Sequence, residues 1–180
     1  MKGFSDQQLR LLELVKEQHG DQKRKYTGVP YWHHLVAVAQ TMIEHEPAGV
    51  EIALCHDLFE DTPCKRESLY AVLKQLDYPP SSIEVIIGCV EELTDQFTHQ
   101  NYPDLNRKER KKLEAQRLSK ISPLAQTVKY GDLIDNSRSL SDEDPSFATV
   151  YLAEKKNILK VMRAGKPALL ALCESVVQNA

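Results

Sequence analysis

The run that most constrains the fold reads Leu54-Cys55-His56-Asp57-Leu58-Phe59-Glu60-Asp61-Thr62. It places an adjacent histidine and aspartate in an otherwise apolar stretch that we predict to be helical. Burying an imidazole and a carboxylate without partners is costly, and a bound metal ion removes that cost because both groups ligate first-row metals. Glu60 and Asp61 follow one helical turn later. The run therefore predicts metal-assisted hydrolysis.

Two other runs can supply the further ligands that a metal ion needs. Residues 23–34 read Lys-Arg-Lys-Tyr-Thr-Gly-Val-Pro-Tyr-Trp-His-His, and residues 129–138 read Lys-Tyr-Gly-Asp-Leu-Ile-Asp-Asn-Ser-Arg. We predict a site with two histidines and two aspartates from three helices: His34, His56, Asp57 and Asp132. Such a nitrogen and oxygen ligand set suits Mn²⁺, Fe²⁺ or Zn²⁺ better than metals that seek thiolates.

The order of these ligands resembles the signature of the HD-domain metal phosphohydrolases. The chain is most similar to the hydrolase domain of the RelA/SpoT homologues and to their stand-alone small alarmone hydrolases, from about residue 9 to about residue 140. Because one histidine lies four residues after Pro30, as in that family, we choose His34 over His33. The resemblance is carried by Gly28-Val29-Pro30-Tyr31-x-x-His34, His56-Asp57-x-x-Glu60-Asp61-Thr62 and Asp132-x-x-x-Asn136-x-Arg138.

The resemblance implies a Mn²⁺-dependent enzyme, with Fe²⁺ and Zn²⁺ as alternatives, that removes the 3′-pyrophosphate from ppGpp. It covers only a hydrolase, so we expect degradation and no synthesis of the nucleotide. We assign proton transfer to Glu60, and positioning of the water or the sugar to Asp61. The resemblance also implies that Asn136 and Arg138 help to hold the nucleotide near the metal.

Base recognition is where the chain departs from the family pattern. The family carries an arginine three residues before Gly28, where this chain has Lys25, and Arg24 lies one residue earlier. Arginine stacks on rings better than lysine does, and Tyr26 is an alternative stacking partner. We therefore predict substrate contacts from Arg24, Lys25 and Tyr26, with looser base recognition. The lysine that the family often has a few residues after Thr94 is also missing.

Two other functions stay open at this point. The first is an HD-domain phosphohydrolase of another nucleotide or phosphate ester. The second is a non-catalytic alarmone-binding module, against which the intact ligand set and the intact Glu60-Asp61 pair argue. A basic run at 107–117 is interpreted as a solvated helix face, or alternatively as a surface that steers an anionic substrate.

The apolar spacing is helical throughout, which predicts an all-α fold of about eight to nine helices in one HD-type domain, residues 1–180. Ser5-x-x-Gln8 and Ser81-x-x-Glu84 predict capping boxes. One helix is expected from about residue 48 to residue 61, and Pro123 is expected to begin the helix that carries Asp132.

Bulk properties narrow the class of partner. The chain has 180 residues, 42% of them hydrophobic and 27% charged, and a net charge of −3, which exerts no general attraction to nucleic acid or membranes. Four cysteines without Cys-x-x-Cys spacing predict reduced thiols and a cytoplasmic protein, and the first ten residues lack a signal peptide's apolar core. We expect a small nucleotide as partner, and both a monomer and a homodimer are open.

Overall fold

The computed structural model describes residues 3–25, 27–143 and 145–179, with side chains except for residues 139–148. Apart from an isolated antiparallel bridge between Lys23 and Pro30, every regular element in these ranges is a helix, which confirms the all-α prediction. The elements are α1 (Asp6–His19), α2 (Trp32–His45), a 3-10 turn (Pro47–Gly49), α3 (Val50–Cys55), α4 (Leu58–Asp61), α5 (Arg66–Gln75), α6 (Pro80–Leu93), α7 (Arg107–Leu118), α8 (Pro123–Glu143), α9 (Pro145–Val161) and α10 (Pro167–Asn179).

The helix predicted over residues 48–61 is divided into the 3-10 turn, α3 and α4. The break falls at the His56-Asp57 pair, where Asp57 has φ −99° and ψ 0°, a sparsely populated backbone conformation that is common in active sites. The chain still turns there, because the N–H of Asp61 donates to the carbonyl of Asp57 at 2.9 Å. The break therefore presents both side chains at the junction of two short helices.

Of the two capping boxes predicted from the sequence, the structure has one. The predicted capping box of Ser5 and Gln8 is present at α1. The predicted box of Ser81 and Glu84 is wrong, because α6 begins at Pro80 without a side-chain cap. Proline at the first helical position needs no N–H partner and has φ already set for a helix, so the helix starts before the serine.

The core places α2 against both α3 and α8. Leu35, Val38 and Met42 of α2 are fully buried. Gly131 of α8 permits the close approach, since a Cβ atom there would lie 2.9 Å from the Met42 Cε atom. The residue after Gly131 is Asp132, so this packing brings the predicted ligand of α8 to the predicted ligand of α2.

A turn between α1 and α2 closes over this region. The N–H of Arg24 donates to the carbonyl of Val29 at 2.9 Å, and the N–H of Gly28 donates to the carbonyl of Arg24 at 3.0 Å. Gly28 has φ +68°, a conformation that favours glycine. The turn directs Arg24 back toward α8.

All four cysteines are buried and unpaired. Within the described ranges, no helix has both the length and the apolar character that crossing a membrane requires.

Candidate metal centre and active site

Two buried imidazoles form the centre of the site, and the Nδ1 atom of each lies within hydrogen-bond distance of an oxygen atom. His34 and His56 are 1% and 2% exposed. The Nδ1 atom of His56 lies 2.8 Å from the carbonyl oxygen of Ala53, which can only accept a hydrogen bond. The Nδ1 atom of His34 lies 2.6 Å from Asp135 Oδ2. Both rings therefore carry a proton on Nδ1, so in the neutral form of each ring Nε2 has the lone pair.

These lone pairs face carboxylate oxygens. His56 Nε2 lies 3.1 Å from Asp57 Oδ2, and His34 Nε2 lies 3.3 Å from Asp132 Oδ1. Although these atoms are near each other, neither Nε2 atom has a hydrogen-bond partner among the residues that the structure describes. Lone pairs that face carboxylates in a buried site require either a second proton on each ring or a cation between them. The ligand types fit a divalent metal ion.

The pKa values of the two histidines, without a metal ion, also show that the site favours positive charge. Burial lowers the pKa of His34, but the carboxylates of Asp132 and Asp135 outweigh it and raise that pKa to about 9. Burial also acts against a charged His56, yet Asp57 raises its pKa. The site thus stabilises positive charge between its imidazoles and carboxylates, the charge that a divalent cation supplies.

A tyrosine also holds Asp57, through the same carboxylate oxygen that faces the imidazoles. The hydroxyl of Tyr31 donates to Asp57 Oδ2 at 2.7 Å, and the Tyr31 ring stacks on His19 with centroids 5.1 Å apart. Although burial raises the pKa of Asp57, the two histidines outweigh it and hold that pKa well below its usual range. Asp57 is therefore an oriented carboxylate, and with His34 and His56 it forms a group whose ligand atoms lie within 4.8 Å of one another.

Asp132 joins this group from α8. Its Oδ1 atom lies 4.0 Å from His56 Nε2 and accepts a hydrogen bond from the Asn136 amide at 2.5 Å, while Oδ2 pairs with Lys129 Nζ at 2.8 Å. Burial raises the pKa of Asp132, but Lys129 and the two histidines together outweigh it and hold that pKa well below its usual range. The role of Asp132 as the fourth ligand stays a prediction.

Arg24 and Asp135 form a layer behind the ligands that the sequence did not reveal in full. Arg24 Nη1 lies 2.8 Å from Asp135 Oδ2, and Arg24 Nη2 donates to Asn136 Oδ1 at 3.2 Å. Arg24 therefore acts on His34 through Asp135 and on Asp132 through Asn136. Sequence analysis assigned Arg24 to the substrate and missed Asp135, whose only signal was its position one turn after Asp132.

The predicted catalytic acids lie on α4, directly after Asp57. Oε1 of Glu60 accepts a hydrogen bond from the N–H of Asp95, and Oδ2 of Asp61 accepts one from Gln22 at 3.0 Å. Glu60 is exposed as a residue, but desolvation of its carboxylate and the negative charge of Asp95 raise its pKa to about 7. A carboxylate with a pKa near neutrality is suited to proton transfer.

The other residues predicted to contact the substrate are Lys25, Tyr26 and Arg138. Lys25 and Arg138 are exposed, so their nucleotide contacts stay predictions, and Tyr26 lies outside the described residues. The basic run of α7 is partly neutralised: Arg107 pairs with Glu154 at 2.8 Å, and Lys111 pairs with Asp95 at 3.2 Å. Lys129, which touches Asp132, was missed by sequence analysis although it lies one turn before it.

The chain is similar to known proteins over most of its length. No protein-family model matches it. Over 146 residues it is 31% identical to the human guanosine-3′,5′-bis(diphosphate) 3′-pyrophosphohydrolase MESH1, covering 75% of this chain and 70% of the human protein. The chain belongs to the MESH1 family. The prediction of an HD-type ppGpp hydrolase family is thereby confirmed.

Other MESH1 proteins show the same similarity. MESH1 of Drosophila melanogaster is 29% identical over 144 residues, or 77% of this chain and 72% of the fly protein. MESH1 of Mus musculus is 30% identical over 151 residues, or 78% and 73%. A solved structure of a metazoan orthologue of SpoT, which hydrolyzes ppGpp and plays a role in starvation responses, superposes with a TM-score of 0.76. It covers 99% of this chain and 98% of its own at 24% identity, and confirms the fold.

Proposed function

We propose that the chain is a single HD-type hydrolase domain, residues 1–180, that acts as a metal-dependent (p)ppGpp 3′-pyrophosphohydrolase. The observation that carries the proposal is the pair of buried Nε2 atoms of His34 and His56, which face the carboxylates of Asp132 and Asp57. This arrangement occurs beside Glu60 in a chain whose human, fly and mouse relatives are named for that activity.

His34, His56, Asp57 and Asp132 would hold the metal ion, and Mn²⁺ is the ion we propose, with Fe²⁺ and Zn²⁺ as alternatives. When bound, such an ion polarises a phosphoryl oxygen and lowers the pKa of a coordinated water. The Nδ1 hydrogen bonds of both histidines fix the tautomer that coordination requires. Tyr31 orients Asp57, and Asn136 and Lys129 orient Asp132.

Glu60 is the group that we assign to the proton. Water attacks the phosphorus that is bonded to the ribose 3′-oxygen, and the bond between that phosphorus and that oxygen breaks. Glu60 accepts the proton of the attacking water, and a proton is returned to the 3′-oxygen, so ppGpp and water give GDP and pyrophosphate, and pppGpp gives GTP. Asp61, held by Gln22, positions the water or the sugar.

In our proposal, residues that match the family pattern hold the nucleotide. Asn136 faces the ligands, and Lys25, Tyr26 and Arg138 would contact the base or the sugar. Because Arg24 is engaged with Asp135 and Asn136, its guanidinium is less available to stack on guanine. We therefore propose looser discrimination among purines, on the order of 5- to 150-fold lost for one stacking contact.

We also propose the partner, the cellular location and the oligomeric state of the enzyme. We propose a small-molecule nucleotide as the partner, with neither nucleic acid nor membrane involved. The four unpaired cysteines support a reducing compartment, and a cytoplasmic location is proposed on that basis. A monomer and a homodimer are both compatible with the site, because all of its proposed ligands come from one chain.

Product analysis tests the function. The Mn²⁺-loaded protein is incubated separately with ppGpp, with its adenine analogue and with simple 5′-nucleotides, and the products are separated by chromatography. We expect GDP and pyrophosphate from ppGpp, with a slower reaction of the adenine analogue. Release of inorganic phosphate from 5′-monophosphates, with ppGpp intact, would replace the proposal with an HD-domain phosphohydrolase of other nucleotides.

A further inference from the structure

Three lysines from three different helices converge beside the proposed metal centre. They are Lys111 of α7, Lys129 of α8 and Lys155 of α9. The helix α9 packs against both α7 and α8, and Lys111 and Lys129 are close enough to Lys155 for their charges to lower its pKa. Such a concentration of positive charge is characteristic of sites that receive phosphate groups.

Two of these lysines already have carboxylate partners. Lys129 Nζ lies 2.8 Å from Asp132 Oδ2, and Lys111 Nζ lies 3.2 Å from Asp95 Oδ2. Lys155 differs, because its Nζ atom lies 4.5 Å from the centroid of the Tyr151 ring and no side chain among those described forms an ion pair with it. Asp132 and Asp95 act on it only through space.

Lys155 is held in this position by its own helix. Tyr151 and Lys155 lie one turn apart on the same face of α9. The neighbouring Glu154 accepts two hydrogen bonds from the Arg107 guanidinium, at 2.8 Å and 2.9 Å, which fastens this turn of α9 to the start of α7. Lys155 is partly exposed, so a ligand can reach it.

The charges around Lys155 favour an anion beside it. Burial and the charges of Lys129 and Lys111 lower its pKa to about 8, against the opposing effect of Asp132 and Asp95. An ammonium group in such surroundings is stabilised when an anion arrives. A phosphate group supplies two negative charges and several acceptor oxygens at once.

We propose that Lys155, packed on Tyr151 and flanked by Lys111 and Lys129, forms a phosphate-binding subsite for a phosphate group of the nucleotide other than the one attacked. The inference rests on the proposed function for the identity of the nucleotide. Lys155 is a specificity-determining residue in this account, because it contributes binding energy without handling the proton or the metal.

Two measurements on K155M test the subsite, with K156M as the matched control because Lys156 is the exposed neighbour on the same helix. In steady-state kinetics with Mn²⁺ and ppGpp, K155M is expected to raise KM about 10-fold or more while kcat changes less than about 3-fold. K155R is expected to restore most of the affinity. Circular dichroism checks that each variant is folded.

The second measurement is calorimetric titration of the metal-free protein with inorganic pyrophosphate. We expect binding by the wild type and by K156M, and a loss of about 10-fold or more in K155M. If this loss appears while the wild type leaves ppGpp intact, the subsite stands and the proposed function fails. If ppGpp is hydrolysed and K155M matches the wild type in KM and in pyrophosphate affinity, the subsite is refuted.

A substrate that lacks the 5′-phosphates assigns the subsite to one end of the nucleotide. If K155M still raises KM for guanosine 3′-diphosphate, Lys155 contacts the distal phosphate of the 3′-group. If the effect vanishes with that substrate, Lys155 contacts the 5′-diphosphate. Both results support the subsite, and a kcat loss of 100-fold with unchanged KM would overturn it.

Discussion

The carboxylate of Asp135 fixes the imidazole of His34, with Nδ1 and Oδ2 2.6 Å apart. The same oxygen lies 2.8 Å from Arg24 Nη1, so one carboxylate links the turn before α2 to the proposed metal centre. Partners in this layer set the tautomer and the basicity of a ligand histidine. The affinity of the site for its metal therefore depends on residues that do not touch the metal.

The substitution D135N tests this dependence. Asparagine keeps the shape but loses the charge that favours a protonated Nδ1, so we expect Mn²⁺ affinity to fall about 10- to 100-fold. Calorimetric titration with Mn²⁺ measures the change, and D104N, at an exposed loop position, is the control. Equal affinities for wild type, D104N and D135N would show that Asp135 does not act on the site.

Metal removal is expected to destabilise the fold. A ligand present at 100 times its Kd stabilises a protein by about 2.7 kcal/mol, which corresponds to roughly 5–10 °C in Tm for a domain of this size. Differential scanning calorimetry with Mn²⁺ and with chelator measures the shift, and elemental analysis is expected to find about one ion per chain. H56A and D132A should abolish both, whereas H99A, at an exposed loop position, should abolish neither.

Glu60→Gln is expected to separate binding from turnover. Glutamine cannot accept the proton, so kcat should fall on the order of 100-fold or more while Mn²⁺ affinity stays close to that of the wild type. E67Q, at an exposed position of α5, is the control. A kcat for E60Q within about 3-fold of the wild type would show that Glu60 does not accept the proton.

The same residue predicts the acid side of the pH profile. The pKa of Glu60 is raised to about 7, so its ionised, proton-accepting form is lost as the pH falls through that value, and a bound cation moves the transition to lower pH. We expect kcat to decrease toward acid with this transition, and the residual rate of E60Q to lack it. An identical acid limb in both proteins would assign the transition to another group.

Two glycines give a paired test of the packing. A Cβ atom at Gly165 would lie 2.6 Å from Tyr130 Cε2 and 2.9 Å from the backbone nitrogen of Thr127, whereas one at Gly88 would meet nothing within 4 Å. We expect G165A to cost about 1–3 kcal/mol in the free energy of unfolding. G88A, inside α6, should gain about 0.5–1 kcal/mol. Urea denaturation of both variants measures the difference, and equal stabilities would contradict the packing around Gly165.

The sequence specified the helices and the identity of the central ligands, because helical periodicity and adjacent polar pairs are local signals. It did not specify the break at His56-Asp57, since each half of that run alone favours a helix. It also did not reveal the pairing of His34 with Asp135, which are 101 positions apart and meet because α8 packs against α2. Side-chain partners across helices depend on such packing, which periodicity does not encode.

Hydrolysis of ppGpp in water labelled with ¹⁸O reports which bond the enzyme breaks. The Mn²⁺-loaded protein is incubated with ppGpp, and the products are examined by mass spectrometry. We expect GDP without label and pyrophosphate with one labelled oxygen, since water attacks the phosphorus bonded to the ribose 3′-oxygen. Label in the ribose hydroxyl of GDP, or release of inorganic phosphate in place of pyrophosphate, would contradict the proposed reaction.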